Sequence, residues 1–263
     1  MPLRGFKPVP PRDRTGGPFR LMGPSPGSNF TGFMALLDDR IARVRATIDE
    51  ACRKVGRNPD GVRLVAVTKG HPAALLERAL AAGLQDLAEN RVQEALAKCS
   101  SIQGALDAHP ATLHLIGHLQ RNKARDAVAV FDWIQSVDSM RLARTLSDRA
   151  AREERWIHVL VQVNAAREEG KYGFDPDETV DRALEIAELP NLVLRGLMTM
   201  APWTDDEAVL RRTFATARGS FEGIAGRQGV NTLSMGMSND YVLAVEEGAT
   251  MVRLGTVLFG PRN

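Results

Sequence analysis

From Phe33 to Val55 apolar residues return at Leu36, Leu37, Ile41, Val44, Ile48 and Cys52. That spacing fills one face of an α-helix, and Gly56 closes it as a C-cap. The period then changes. Val62 to Thr68 is a short strand-like run, Lys69-Gly70-His71-Pro72 follows, and Pro72 opens a helix over Ala73 to Ala82 that Gly83 ends. The same exchange repeats along the chain. Further strands are predicted over Leu84 to Ala88, Leu113 to Ile116, Trp133 to Val137, Ile157 to Val163, Leu192 to Met200, Thr232 to Met235 and Thr250 to Leu254. Helices are predicted over Asn90 to Leu106, Gln120 to Val130, Ser139 to Ala151, Asp175 to about Leu189, Asp205 to Ile224 and Tyr241 to Glu247, with Ser139 as a cap.

No hairpin signal separates these strands, and crossover helices make neighbouring strands parallel and covered on both faces. Eight such units favour a single closed (β/α)8 TIM-type barrel, with an open doubly wound sheet as the competing architecture. The last strand ends at Leu254 and the chain at Asn263, too short a distance for a full eighth helix. The extra N-terminal helix over 33–55 is expected to cover that gap. Residues 1–32, rich in Pro and Gly, cannot bury enough surface to offset their ordering entropy and are read as a flexible extension outside the 33–263 barrel.

Composition narrows the class. With 44% hydrophobic and 25% charged residues the chain can bury a sizeable core, and its net charge of +2 argues against a nucleic-acid surface. Arg63, Arg121, Lys123 and Arg125 lie among acidic residues and read as solvated surface. Cys52 and Cys99 lack metal spacing and read as reduced cytoplasmic thiols. No apolar stretch is long enough for a membrane span, and Arg4, Lys7, Arg12 and Arg14 have no apolar region behind them, so no secretory signal is expected.

In a barrel the site lies at the C-terminal ends of the strands. Here those ends supply Lys69, Glu89-Asn90, Gly117-His118, Asp138, Asn164, Met198 to Met200, Ser234 to Ser238 and Arg253 to Thr256. A lysine at an apolar strand end is partly desolvated, which favours the neutral amine that attacks a carbonyl. The residues alone leave a plain surface lysine as the alternative. Ser234, Gly236 and Ser238 form a candidate anion cup, with Ser238 also able to cap the next helix, and Gly255 and Thr256 form a second such turn. An ordinary capping loop is the alternative there. His114 and His118 straddle a strand end and Gly117, so no metal site is expected.

Seven segments, in order, carry a family resemblance: Leu-Val-Ala-Val-Thr-Lys at 64–69, Glu-Asn-Arg-Val-Gln-Glu at 89–94, His-Leu-Ile-Gly-His-Leu-Gln-Arg-Asn-Lys at 114–123, Val-Asn at 163–164 with Glu168, Lys171 and Gly173, Gly-Leu-Met at 196–198, Leu-Ser-Met-Gly-Met-Ser at 233–238 and Val-Arg-Leu-Gly-Thr-Val-Leu-Phe-Gly at 252–260. The chain resembles the pyridoxal-phosphate homeostasis proteins (YggS/PROSC family) from about Phe33 to Arg262. The resemblance implies a fold-type III barrel similar to the alanine racemase N-terminal domain, with pyridoxal 5′-phosphate (PLP) held as a Schiff base on Lys69. It further implies Arg253 at the pyridine nitrogen, Asn90 beside the ring, and Ser234, Gly236, Ser238, Gly255 and Thr256 at the phosphate. Gly70, Ala88 and Gly170 depart from the family's usual threonine, glycine and serine, and Gly70 puts the orientation of Lys69 in question.

Racemases of this fold take a second base from a separate C-terminal β-domain, which this chain is not expected to have. Its two tyrosines, Tyr172 and Tyr241, fall at no strand end. An arginine at the ring nitrogen opposes protonation there and weakens the ring as an electron sink. The expectation is therefore a cytoplasmic, monomeric carrier that buffers PLP and passes it to PLP-dependent apo-enzymes, without efficient catalysis and without nucleic-acid or membrane partners. A low-activity amino-acid racemase using Lys69 as base is the alternative.

Overall fold

The computed structural model describes residues 28–261, Pro110 excepted. Eight strands pair in parallel in chain order: β1 (Arg63–Val67), β2 (Asp86–Glu89), β3 (Thr112–Leu115), β4 (Trp133–Val137), β5 (Ile157–Gln162), β6 (Leu192–Met198), β7 (Thr232–Ser234) and β8 (Met251–Leu254). The open sheet is excluded because β1 also pairs with β8, Arg63 opposite Met251 and Ala66 opposite Leu254.

Around the barrel run α1 (Ser28–Lys54), α2 (Ala73–Ala81), α3 (Val92–Ser101), α4 (Gln103–Ala108), α5 (Ala124–Val130), α6 (Met140–Arg152), α7 (Pro176–Ala187), α8 (Glu207–Glu222), α9 (Tyr241–Glu246) and α10 (Thr256–Phe259). The cap expected at Ser139 forms, its Oγ accepting from the Leu142 N–H at 3.3 Å, and Asp175 caps α7 by accepting from the Asp177 N–H at 2.9 Å. The helix expected over Asn90 to Leu106 is instead two, α3 and α4. Buried Ile102 leaves helical dihedrals between them (φ −116°, ψ 24°), so the chain turns at its β-branched side chain. Helix α1 begins at Ser28, making 28–32 of the expected extension helical; the rest of that extension lies outside the described residues.

The missing eighth helix is replaced as expected. The single turn α10 is covered by α1, whose Arg40 donates to the Leu258 carbonyl at 3.2 Å. Just beyond α1, Arg57 reaches the Val245 and Ala249 carbonyls at 2.5 and 2.8 Å.

The period of two within each strand separates two environments. Ala66, Leu87, Leu115, Val159 and Val252 pack outward against the helices, each fully buried large side chain contributing roughly 1.5–3 kcal/mol. Val65, Val67, Ala88, Ile116, Trp133, Leu160, Met198 and Met251 cluster inside the barrel. Among the described residues no helix is long and apolar enough to cross a membrane.

Candidate functional site

A cavity of about 390 Å³ opens at the C-terminal rim of the barrel. It is lined by Lys69 after β1, Asn90 after β2, Gly117 and His118 after β3, Gln162 at the end of β5, Met237 to Asp240 after β7, and Arg253, Gly255 and Thr256 at β8. The fold thus brings six of the expected residues, Lys69, Asn90, Ser238, Arg253, Gly255 and Thr256, around one cavity.

Lys69 sits on a tight turn whose two neighbours are gripped from behind. The buried ammonium of Lys98, on α3, donates to the Thr68 carbonyl at 2.9 Å, to Glu89 Oε1 at 2.7 Å and to Glu94 Oε1 at 2.6 Å. Glu94 Oε1 accepts the Gly70 N–H at 2.6 Å, and the Thr68 hydroxyl donates to Glu89 Oε1 at 2.7 Å. One buried ion cluster therefore fixes the carbonyl before Lys69 and the amide after it. Gly70 has φ +73°, a left-handed conformation that glycine takes without a Cβ clash, so the departure at this position belongs to the turn itself. Burial pushes the Glu89 carboxyl up, against the downward pull of Lys98 and Thr68, and its Oε2 is buried without a hydrogen-bond partner.

Arg253 is held differently. It is 3% exposed, donates from Nη1 to the Ser234 hydroxyl at 2.7 Å and from Nη2 to the Thr199 carbonyl at 2.8 Å. Burial pulls its pKa down to about 10, with Asp240 pulling the other way through space. An arginine carries five N–H donors, so these two bonds leave the guanidinium with donors for the cavity it lines.

Two expected residues are not in the wall. Ser234 lies inside the barrel, its hydroxyl accepting from Arg253 and donating to Gln135 Oε1 at 2.7 Å. Gly236 (φ +95°) backs onto α9, where a Cβ would meet that of Ala244 at 2.7 Å. Nor does Ser238 cap the helix that follows it; its Oγ accepts the Val257 N–H of α10 at 3.3 Å, while Asp240, the residue before α9, turns its carboxylate back to the Met237 N–H at 2.5 Å.

The structure also adds residues. Tyr172, expected away from any strand end, lines the cavity from the loop after β5 and stacks on His118 with ring centroids 3.7 Å apart. His118 Nδ1 meets Asp138 Oδ2 at 2.9 Å. Trp203 stands on the rim at 87% exposure, so it is available to a bound molecule. Lys98 and Glu94 carried one signal, an acid and a base four apart on a helix, which reads as a surface pair. Among the described residues no cluster of three or more metal-ligating side chains occurs, and His114 is buried in the barrel, away from His118 on the cavity wall.

The model of the family "Alanine racemase, N-terminal domain" matches residues 40–263. The pyridoxal phosphate homeostasis protein of Pseudomonas aeruginosa is 41% identical over 230 residues, covering 88% of this chain and 97% of its own. That of Escherichia coli is 39% identical over 227 residues, covering 85% and 95%. Among solved structures, PipY of Synechococcus elongatus with PLP bound superposes with a TM-score of 0.73 at 39% identity, over 85% of this chain and 100% of its own. Alanine racemase from Clostridium difficile, at 16% identity and a TM-score of 0.64, shares the fold.

Proposed function

The chain belongs to the pyridoxal phosphate homeostasis proteins, within the alanine racemase N-terminal-domain family, and from that premise we propose that it holds PLP reversibly as a Schiff base on Lys69 and passes it to apo-enzymes. The observation that carries the reading is that a rim lysine and a buried, donor-rich arginine line the same cavity. The donor set fits the cofactor: an amine for the aldehyde, a guanidinium for the ring nitrogen, and the Ser238 and Thr256 hydroxyls and Gly255 backbone for the phosphate. A cavity of about 390 Å³ is of the size that small cofactors occupy.

When bound, the cofactor supplies an aldehyde that condenses with a primary amine. Lys69 presents that amine at the rim, half-buried just after β1, and a neutral amine is the form that attacks an aldehyde. Its clamped backbone limits where the amine swings, while the open rim leaves water and competing amines access to reverse the bond. Arg253 can only donate, so it leaves a facing ring nitrogen unprotonated and opposes carbanion chemistry. Carrying, rather than turnover, follows from these two residues together. The protein acts as a monomer in the cytoplasm.

Incubated with PLP, the protein is expected to gain a Schiff-base absorption band that borohydride reduction fixes to Lys69; Lys69→Ala should lose it. A wild-type protein that stays colourless overturns the proposal. The alternative, slow racemisation, gains its one structural support from His118 on the cavity wall, which is paired with Asp138. Rapid exchange of the α-hydrogen of alanine in deuterated buffer would favour it over carrying.

A further inference from the structure

The interior of a parallel barrel is ordinarily filled by layers of apolar side chains. Here a line of polar groups runs through it. Beyond Ser234, Gln135 Nε2 on β4 lies 3.0 Å from His114 Nδ1 on β3, and His114 Nε2 lies 2.9 Å from Asp86 Oδ1 at the start of β2. Arg63, at the start of β1, also donates to that carboxylate oxygen. Ser234, Gln135 and His114 are each 0% exposed.

The polarity of the line is set by its ends. Arg253 is a donor only, so the Ser234 oxygen accepts from it and the single hydroxyl proton goes to Gln135 Oε1. The amide then turns its NH2 to His114, whose Nδ1 must be bare and whose proton must sit on Nε2, donated to Asp86. The reverse polarity would leave the Ser234 proton without an acceptor in the line and require a charged imidazole in the barrel core, which burial opposes.

We propose that Ser234, Gln135, His114 and Asp86 form one directed hydrogen-bond column that positions Arg253 for the cofactor. Buried polar groups are tolerated when every member is satisfied, and a complete chain is more rigid than its separate pairs. The column occupies one edge of the guanidinium, the Thr199 carbonyl takes another, and the remaining donors are turned to the cavity. Ser234, Gln135 and His114 are positioning residues in this scheme, acting through Arg253 without touching the ligand. The proposal rests on the reading that Arg253 meets PLP.

Two measurements test it. In the full chain without PLP, ¹⁵N NMR of the histidine rings should show His114 with a bare, hydrogen-bonded Nδ1 and a protonated Nε2. A proton on Nδ1 overturns the column, and this needs no variant. Ser234→Ala and Gln135→Leu should each weaken PLP binding about fivefold to thirtyfold, the effect of a buried hydrogen bond lost. The double variant should be no worse than the weaker-binding single. Multiplying effects, or wild-type binding by Gln135→Leu, overturn the positioning role. A wild-type protein that takes up no PLP defeats the underlying reading instead, while the NMR result still decides whether the column exists.

Discussion

Lys69, just after β1, and Arg253, within β8, belong to neighbouring strands of one barrel, yet the molecule supports them in opposite ways. Behind Lys69 stands a charged cluster outside the barrel wall: Lys98, Glu89 and Glu94, between β2 and α3, holding the backbone on either side. Behind Arg253 stands a column of hydroxyl, amide and imidazole inside the wall, holding the side chain itself. The difference matches what each must do. An amine that forms and releases a bond is served by a fixed root. A guanidinium that only donates is best fixed at its tip. Ion pairs suit the first because backbone groups at a turn are reached from outside. A column of mainly neutral groups suits the second because burying further charge in the barrel would be costly.

The comparison breaks most sharply on the lysine side. Lys98→Met leaves the Glu89 and Glu94 carboxylates without their cation, and removal of one partner from a buried pair costs about 3–5 kcal/mol. Urea unfolding without PLP should show that loss, and Lys98→Met/Glu89→Leu should recover much of it. On the other side, Arg253→Gln should leave the fold standing and weaken PLP retention by roughly tenfold to a hundredfold, about 1.4–2.8 kcal/mol. Equilibrium dialysis with retained wild-type affinity would remove Arg253 from the ligand.

The smallest effect concerns the base of the barrel. His158 is drawn down to about 4 by burial and by Arg195, which donates to its Nδ1 at 2.9 Å; buried His114 is lowered too. A histidine depressed in the folded state gives stability that is complete above the ordinary pKa of about 6.5 and is lost as pH falls toward 4, because the unfolded chain binds the extra proton. Melting temperature should therefore decline between pH 6.5 and 4.5, and His158→Gln should make that decline shallower. An unchanged slope would mean His158 is not held neutral.

Much of this was legible in residue order. The alternation of short apolar runs and helical periods places Lys69, Asn90, Ser238, Arg253, Gly255 and Thr256 at strand ends, and strand ends of a barrel share one rim. Ser234 shows where such reading stops. Position at a strand end does not say which way a side chain faces, and Ser234 faces in, to Arg253 and Gln135. Tyr172 shows the converse. It follows no strand directly, and a loop carries it to the cavity, where it stacks on His118.

What the sequence determined by itself is therefore local: periods, caps, the order of eight strands, and the lysine that ends the first. Closure of β8 on β1, the grip of Lys98 on Thr68 thirty positions away, and the column from Arg253 to Asp86 were decided in the tertiary structure. The physical reason is that helix and strand patterns arise between near neighbours. A buried donor or charge must instead find its partner across space, wherever packing brings one.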